Sequence, residues 1–210
     1  MSTTLLDEVR SGTAPPLVPI TVEQYHLMIR DGILQDGDPI ELIDGLLVRK
    51  DRSARGENHM THNPRHAFLI SRLMRLLMGP SEAAGSHLRI QLPVTLNSIN
   101  CPEPDLAVVR GSEEDYADRH PGPADLPLVI EIADSSVGID RSTKQRLYAM
   151  AGIPLYWLVN LPESQVEVYE QPDPASGKYA RQTILKPAQT LTWNSSPTEN
   201  LEINVADLFR

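Results

Sequence analysis

Apolar residues along this chain fall into short blocks whose spacing changes between the strand period and the helix period. The clearest block is Leu128-Val129-Ile130-Glu131-Ile132-Ala133, an apolar run that predicts a buried strand and is broken by one carboxylate. Segments 155–159 and 165–170 predict consecutive strands across a turn at 160–164, and 179–185 predicts another after Gly177. Segments 88–96 and 105–109 also read as strands, separated by the proline-broken link Cys101-Pro102-Glu103-Pro104. A last strand over 201–205 leads into a short turn at 206–209.

Helical spacing alternates with these strands. Thr21 and Gln24 have the capping-box pattern ahead of a short helix over 22–30, which Gly32 ends. Between 40 and 50 the pattern predicts two short strands about Asp44-Gly45, a strong hairpin signal. Asn63 before Pro64 makes a cap and a favoured first helical residue, after which Phe68, Ile70, Leu73, Met74 and Leu77 recur at helical spacing up to Gly79. A further helix over 141–151 is closed by Gly152, with Asp140 or Ser142 as its cap. Residues 1–17 contain Ala14-Pro15-Pro16 and lack periodicity, so they read as a loosely ordered lead-in to one domain over 18–210. The order of elements predicts an α/β fold, a mixed sheet flanked by helices with additional hairpins.

Composition narrows the function only slightly. The single cysteine, Cys101, excludes an intrachain disulfide and fits a reducing, cytoplasmic setting. No apolar run approaches the roughly 18 residues of a membrane span, and no export signal is evident at the N-terminus. A net charge of −9 argues against nucleic-acid binding through bulk charge. Locally the balance reverses: Arg49, Lys50, Arg52, Arg55, Arg65, Arg72 and Arg75 face only Asp51 and Glu57. That excess could meet a phosphate backbone, or it could be a solvated loop and helix face.

The candidate chemistry centres on Glu41, Asp105, Glu131 and Lys144. Glu131 lies inside an apolar strand, where a carboxylate is seldom buried without a partner or a metal. Asp105 starts a strand directly after Pro104, and two carboxylates at adjacent strand ends can ligate one Mg²⁺. Lys144 stands early in the helix that follows Glu131, with Tyr148 one turn further along the same face. An ammonium there would orient water or stabilise phosphate charge, and Glu41 would be a further or outer ligand.

Each residue also has a plainer explanation. Glu131 could be satisfied by Arg146 or by a backbone donor, Glu41 by Lys50 across the hairpin, and Lys144 by solvent. Asp105 could simply start a strand, Asp140 reads more readily as a helix cap than a ligand, and Tyr148 as packing or as an orienting group for Lys144. His59, His62 and His66 have suggestive spacing for zinc, but Pro64 breaks the regular helical geometry between the last two. His66 then approaches substrate or fills space. Ser135-Ser136 lacks a nucleophile setting, and Tyr156 and Trp157 read as core or as a subunit interface.

The blocks Glu41-Leu-Ile-Asp-Gly, Pro104-Asp105-Leu-Ala-Val-Val, Leu128-Val-Ile-Glu131-Ile-Ala-Asp-Ser-Ser, Asp140-x-x-x-Lys144-x-x-x-Tyr148 and Ile153-Pro-Leu-Tyr-Trp-Leu-Val resemble, in order, those of the Uma2 family. That family belongs to the restriction-endonuclease-like PD-(D/E)XK nuclease superfamily, and the resemblance runs over roughly residues 18–209. It implies that Asp105 is the metal-binding aspartate, Glu131 the following acidic ligand and Glu41 the acid contributed ahead of the core sheet. Two departures stand out. Ala133 replaces the customary strand lysine, so Lys144 looks like that lysine moved to the neighbouring helix, and Ala-Asp-Ser-Ser stands where a Ser-Pro pair is more usual.

The resemblance implies an endonuclease that hydrolyses phosphodiester bonds, most naturally of DNA, with Mg²⁺ or Mn²⁺. Asp105, Glu131 and the backbone carbonyl of Ile132 would hold the ion, with Glu41 on a second or hydrated ion. A homodimer is consistent with cutting two strands. The sequence alone leaves open RNA in place of DNA, a catalytically silent binding or regulatory protein, and a hydrolase of small phosphoesters.

Overall fold

The computed structural model describes residues 9, 11–35, 37–50, 64–134, 136–195 and 200–210. Thr21 caps α1 (Val22–Arg30). Its Oγ1 accepts the Gln24 N–H at 3.2 Å while its own N–H donates to Gln24 Oε1 at 2.9 Å. Strands β1 (Ile40–Ile43) and β2 (Leu46–Arg49) form an antiparallel hairpin. Its turn residues Asp44 and Gly45 both adopt positive φ, 50° and 73°, as a tight hairpin turn demands. A Cβ on residue 45 would fall 2.2 Å from the Pro19 Cβ, so glycine is required there twice over.

Helix α2 (Pro64–Ala83) precedes a six-stranded sheet in the order β3-β4-β5-β6-β7-β8. Its strands are β3 (Ser86–Ile90), β4 (Leu106–Arg110), β5 (Leu128–Ala133), β6 (Leu155–Asn160), β7 (Gln165–Asp173) and β8 (Lys178–Leu185). Every pairing is antiparallel except β5 with β6. A parallel pair needs a crossover. Here it is one helical turn, α3 (Val137–Ile139), a π-helical stretch Asp140–Lys144, and α4 (Gln145–Met150). A second hairpin of β9 (Thr190–Asn194) and β10 (Asn200–Asn204) leads into α5 (Val205–Leu208).

Alternation along β5 divides the core into two layers. Leu128, Ile130 and Ile132 pack on one side with Leu69, Leu73 and Leu77 of α2, Trp157, and Leu208 of α5. Val129 and Ala133 pack on the other with Leu147 and Tyr148 of α4, Tyr156 and Leu158. Glu131 shares this second face, so its carboxylate points toward the crossover helix. Among the described residues, no helix is long and apolar enough to cross a membrane.

Several elements differ from the sequence pattern. Helix α2 runs past Gly79 and Pro80 to Ala83, and its buried stripe is Leu69, Leu73, Leu77 and Ser81, which leaves Phe68 exposed. The strand expected over 88–96 ends at Ile90, because Gln91 turns to φ 51° and Pro93 brings no N–H to a ladder. The crossover helix starts at Val137, so Asp140 lies inside the helical run and is not its cap. Strand β9 carries too little apolar periodicity to stand out in the sequence: only Leu191 and Trp193 are buried. Tyr156 and Trp157 are fully buried core. Asn63, His59, His62, Arg52 and Arg55 lie outside the described residues.

Candidate active site

Four ionisable side chains are nearly withdrawn from solvent on the α4 face of the sheet: Glu41, Glu131, Asp140 and Lys144 are 4–6% exposed. Three pieces of local structure deliver them. The β1–β2 hairpin presents Glu41, β5 presents Glu131, and the π-helical stretch turns Asp140 and Lys144 inward. Lys144 Nζ donates to Glu41 Oε1 at 2.6 Å and to Glu131 Oε1 at 3.1 Å. Tyr148, one turn along the same helix face, donates its hydroxyl to Glu131 Oε1 at 2.6 Å. Glu41 Oε1 also takes the Glu103 N–H at 2.6 Å. Among the described residues, the second oxygens of Glu41 and Glu131 accept no hydrogen bond.

Asp105 is placed by the end of a ladder. Strand β4 pairs Leu106 with Ile130 and is preceded by Pro104, so the next N–H on that side of β5 needs another acceptor. The Asp105 carboxylate supplies it, accepting from Ile132 N at 2.8 Å on Oδ2. His66 Nε2 approaches the same oxygen at 3.2 Å, and Gln91 Nε2 donates to Oδ1 at 3.3 Å. In a strand the N–H and C=O of one residue point the same way. The Ile132 carbonyl therefore lies on the Asp105 side of β5, where His66 also makes a backbone hydrogen bond to Ile132.

The charges shape one another. Burial drives the Glu131 carboxyl upward, and Asp140, Asp105 and Glu41 add to this against the opposing pull of Lys144. Burial alone would depress the Lys144 ammonium, but Glu131 and Glu41 overturn that and hold it well above its usual range. Asp140 is pushed up to about 6, mainly by burial, although the Ser136 hydroxyl donates to it. Burial also works against the Asp105 anion, but His66, Ile132 N–H and Gln91 outweigh it and keep its pKa low. His66 is correspondingly raised: Asp105 more than offsets the cost of burying an imidazolium.

Of the four residues singled out by sequence, Lys144 bridges Glu41 and Glu131 directly, while Asp105 contacts Ile132 N–H, His66 and Gln91 at the end of the β4–β5 ladder. The plainer partners are elsewhere: Arg146 pairs with Asp44, and Lys50 with Glu103. His66, Gln91 and the buried Asp140 belong to the same neighbourhood. The sequence marked His66 as one of a histidine cluster that approaches substrate or fills space, and nothing marked Gln91. Among the described residues, no three His, Cys, Asp or Glu side chains already converge in ion-holding geometry. The donors themselves are hard oxygens, including open Oε2 atoms on Glu41 and Glu131, and that chemistry suits Mg²⁺ or Mn²⁺.

A mixed six-stranded sheet with one parallel pair and flanking helices is a nuclease-like α/β fold. The model of the Uma2 family, described as "Putative restriction endonuclease", matches residues 22–206. The chain belongs to the Uma2 family, a nuclease family. Among solved structures it is similar to a protein from Anabaena variabilis described as a "putative nuclease belonging to DUF820". The two share 18% identity and superpose with a TM-score of 0.66 over 91% of this chain and 98% of that one. No curated protein sequence matches the chain.

Proposed function

We propose that this protein is a metal-dependent endonuclease that hydrolyses phosphodiester bonds of nucleic acid, with DNA as the first substrate to test. The observation that carries this reading is Lys144, buried and within 3.1 Å of Glu131 and 2.6 Å of Glu41 beside the Asp105–Ile132 strand ends. A lone buried ammonium among carboxylates is costly scaffolding for a fold that apolar packing could sustain.

Asp105, Glu131 and the Ile132 carbonyl would hold Mg²⁺ or Mn²⁺, and Glu41 a second or hydrated ion. Such an ion supplies charge neutralisation at the phosphate and acidifies bound water. Lys144 orients the attacking water and stabilises the negative charge that develops on the non-bridging oxygens. Tyr148 and the Glu103 N–H fix the carboxylates that in turn aim Lys144. Water oxygen bonds to phosphorus and releases a proton to solvent, the bond to the leaving sugar oxygen breaks, and that oxygen takes up a proton from solvent. Cutting both strands at one place takes two such sites, which a two-fold homodimer would provide. The buried free thiol of Cys101 is compatible with work in the cytoplasm.

The test is nicking of supercoiled plasmid with Mg²⁺ or Mn²⁺, with EDTA as control and single-stranded RNA in parallel. Wild type should cut only with the ion, and Asp105→Asn and Lys144→Gln should each lose at least a hundredfold in rate. Equal cutting by wild type and both variants would overturn the assignment. Nucleic acid bound but never cut would identify the fold as a silent binding protein, and turnover of small phosphoesters alone would move the substrate class.

A further inference from the structure

Beside the acidic centre, along the same face of the sheet, three nitrogenous side chains gather without an acid. Arg89 of β3, His26 of α1 and His120 come from three separate parts of the chain. Arg89 Nη2 donates to His120 Nδ1 at 3.5 Å, and the His120 and His26 rings meet edge-on with centroids 5.3 Å apart. Arg89 Nε and His26 Nε2 are buried and have no hydrogen-bond partner among the described residues. No carboxylate among them pairs with Arg89 either.

A partly buried guanidinium is ordinarily matched by an acid. Leaving one unmatched raises the free energy of the free protein and lowers that of any complex in which an anion arrives. Burial depresses the Arg89 guanidinium, and burial followed by His26 and Arg89 depresses His120. A neutral His120 accepts on Nδ1 and presents its other nitrogen as a donor, so it props the guanidinium and extends the row of donors. Arg89 stands opposite Ala107 in the β3–β4 register, hence on the face that carries Glu131. Gln91, the residue but one after Arg89, touches Asp105. Their Cα atoms are at most about 7 Å apart.

We infer that Arg89, propped by His120, is a docking point for a backbone phosphate of the nucleic-acid substrate, flanking the phosphate that is cut. The inference rests on the nuclease reading of the acidic centre and adds to it. A polyanion approaching a chain of net charge −9 and a pocket of carboxylates needs a local cation to fix its register. The planar guanidinium fork suits phosphate oxygens better than an ammonium does.

The experiment measures fluorescence anisotropy of a labelled DNA duplex over a salt series in EDTA, so that no cutting intervenes. Arg89→Gln should weaken binding several-fold and lower the slope of log affinity against log salt by about one. Arg181→Gln, on the opposite edge strand, removes the same charge and should change neither. If Arg89→Gln fails to fold, His120→Ala takes its place, retaining the cation without its prop, and should still weaken binding. A wild type that cuts DNA while the Arg89 or His120 variant matches it in affinity and slope overturns the phosphate site alone. A wild type that neither binds nor cuts DNA or RNA overturns the nuclease reading and this inference together.

Discussion

Lys144 and Glu41 lie 103 positions apart in the chain, yet Nζ and Oε1 meet at 2.6 Å in a buried ion pair. The contact joins the crossover helix to the β1–β2 hairpin. It sets where both stand relative to Glu131, and so it couples the stability of the fold to the assembly of the site.

Lys144→Ala should therefore cost stability as well as activity. Removing one partner of a buried ion pair leaves Glu41 and Glu131 without their cation, a loss of about 3–5 kcal/mol. Urea unfolding in EDTA measures it. A cost below about 1 kcal/mol would mean that the pair behaves like an exposed surface bridge.

Tyr148→Phe isolates one hydrogen bond from the packing around it. The ring remains against Tyr156, with centroids now 5.1 Å apart, while Glu131 loses its hydroxyl donor. The expected loss is about 1.5–3 kcal/mol, typical of a hydrogen bond to a charged group. Chemical denaturation of the two proteins side by side checks it.

A pH-dependent contribution comes from Glu167 on β7. This carboxylate is fully buried and accepts from Arg141, Tyr169, Asn160 and Gln165. Burial raises its pKa, but these donors, Arg141 first, more than reverse that and leave it below the ordinary glutamate value of 4.5. A depressed carboxylate stabilises the fold above its unfolded pKa, and that contribution fades as pH falls through the folded value. Glu167→Gln should thus cost about 1.5–3 kcal/mol at pH 7. The gap to wild type should narrow as pH falls below 4.5. Unfolding curves across that window would show a constant gap if the carboxylate charge played no part.

The hairpin that carries Glu41 has its own weak point. Gly45 has φ 73°, and a Cβ there would lie 2.2 Å from Pro19 Cβ. Gly45→Val should lose at least about 1–3 kcal/mol from backbone strain alone. It should also slow cleavage, because the hairpin carries Glu41. Melting temperature and nicking rate measured together test both halves.

Periodicity made much of this frame legible. The run around Glu131 marks β5 because every other side chain in it is apolar, and an acid in such a place must have a partner. Asp44-Gly45 and Thr21 with Gln24 announce their turn and cap through local chemistry that tertiary packing did not override. What escaped depended on long-range contacts. Asp140 looks like a cap in sequence, and only the earlier helix start at Val137 buries it. Gln91 reaches Asp105 because of a left-handed backbone at its own position, for which glutamine gives no warning. The dense set of donors around Glu167 is assembled from β6, β7 and the crossover helix, too far apart to read as a motif.

In the proposed function Asp105 and Glu131 hold one divalent ion, and the thermal shift produced by Mn²⁺ titration of wild type, Asp105→Asn and Glu131→Gln tests this. Wild type should gain stability with concentration, by about 2.7 kcal/mol at a hundred times the dissociation constant, and both variants should lose most of that gain. Equal shifts in all three proteins, or none in wild type, would contradict it.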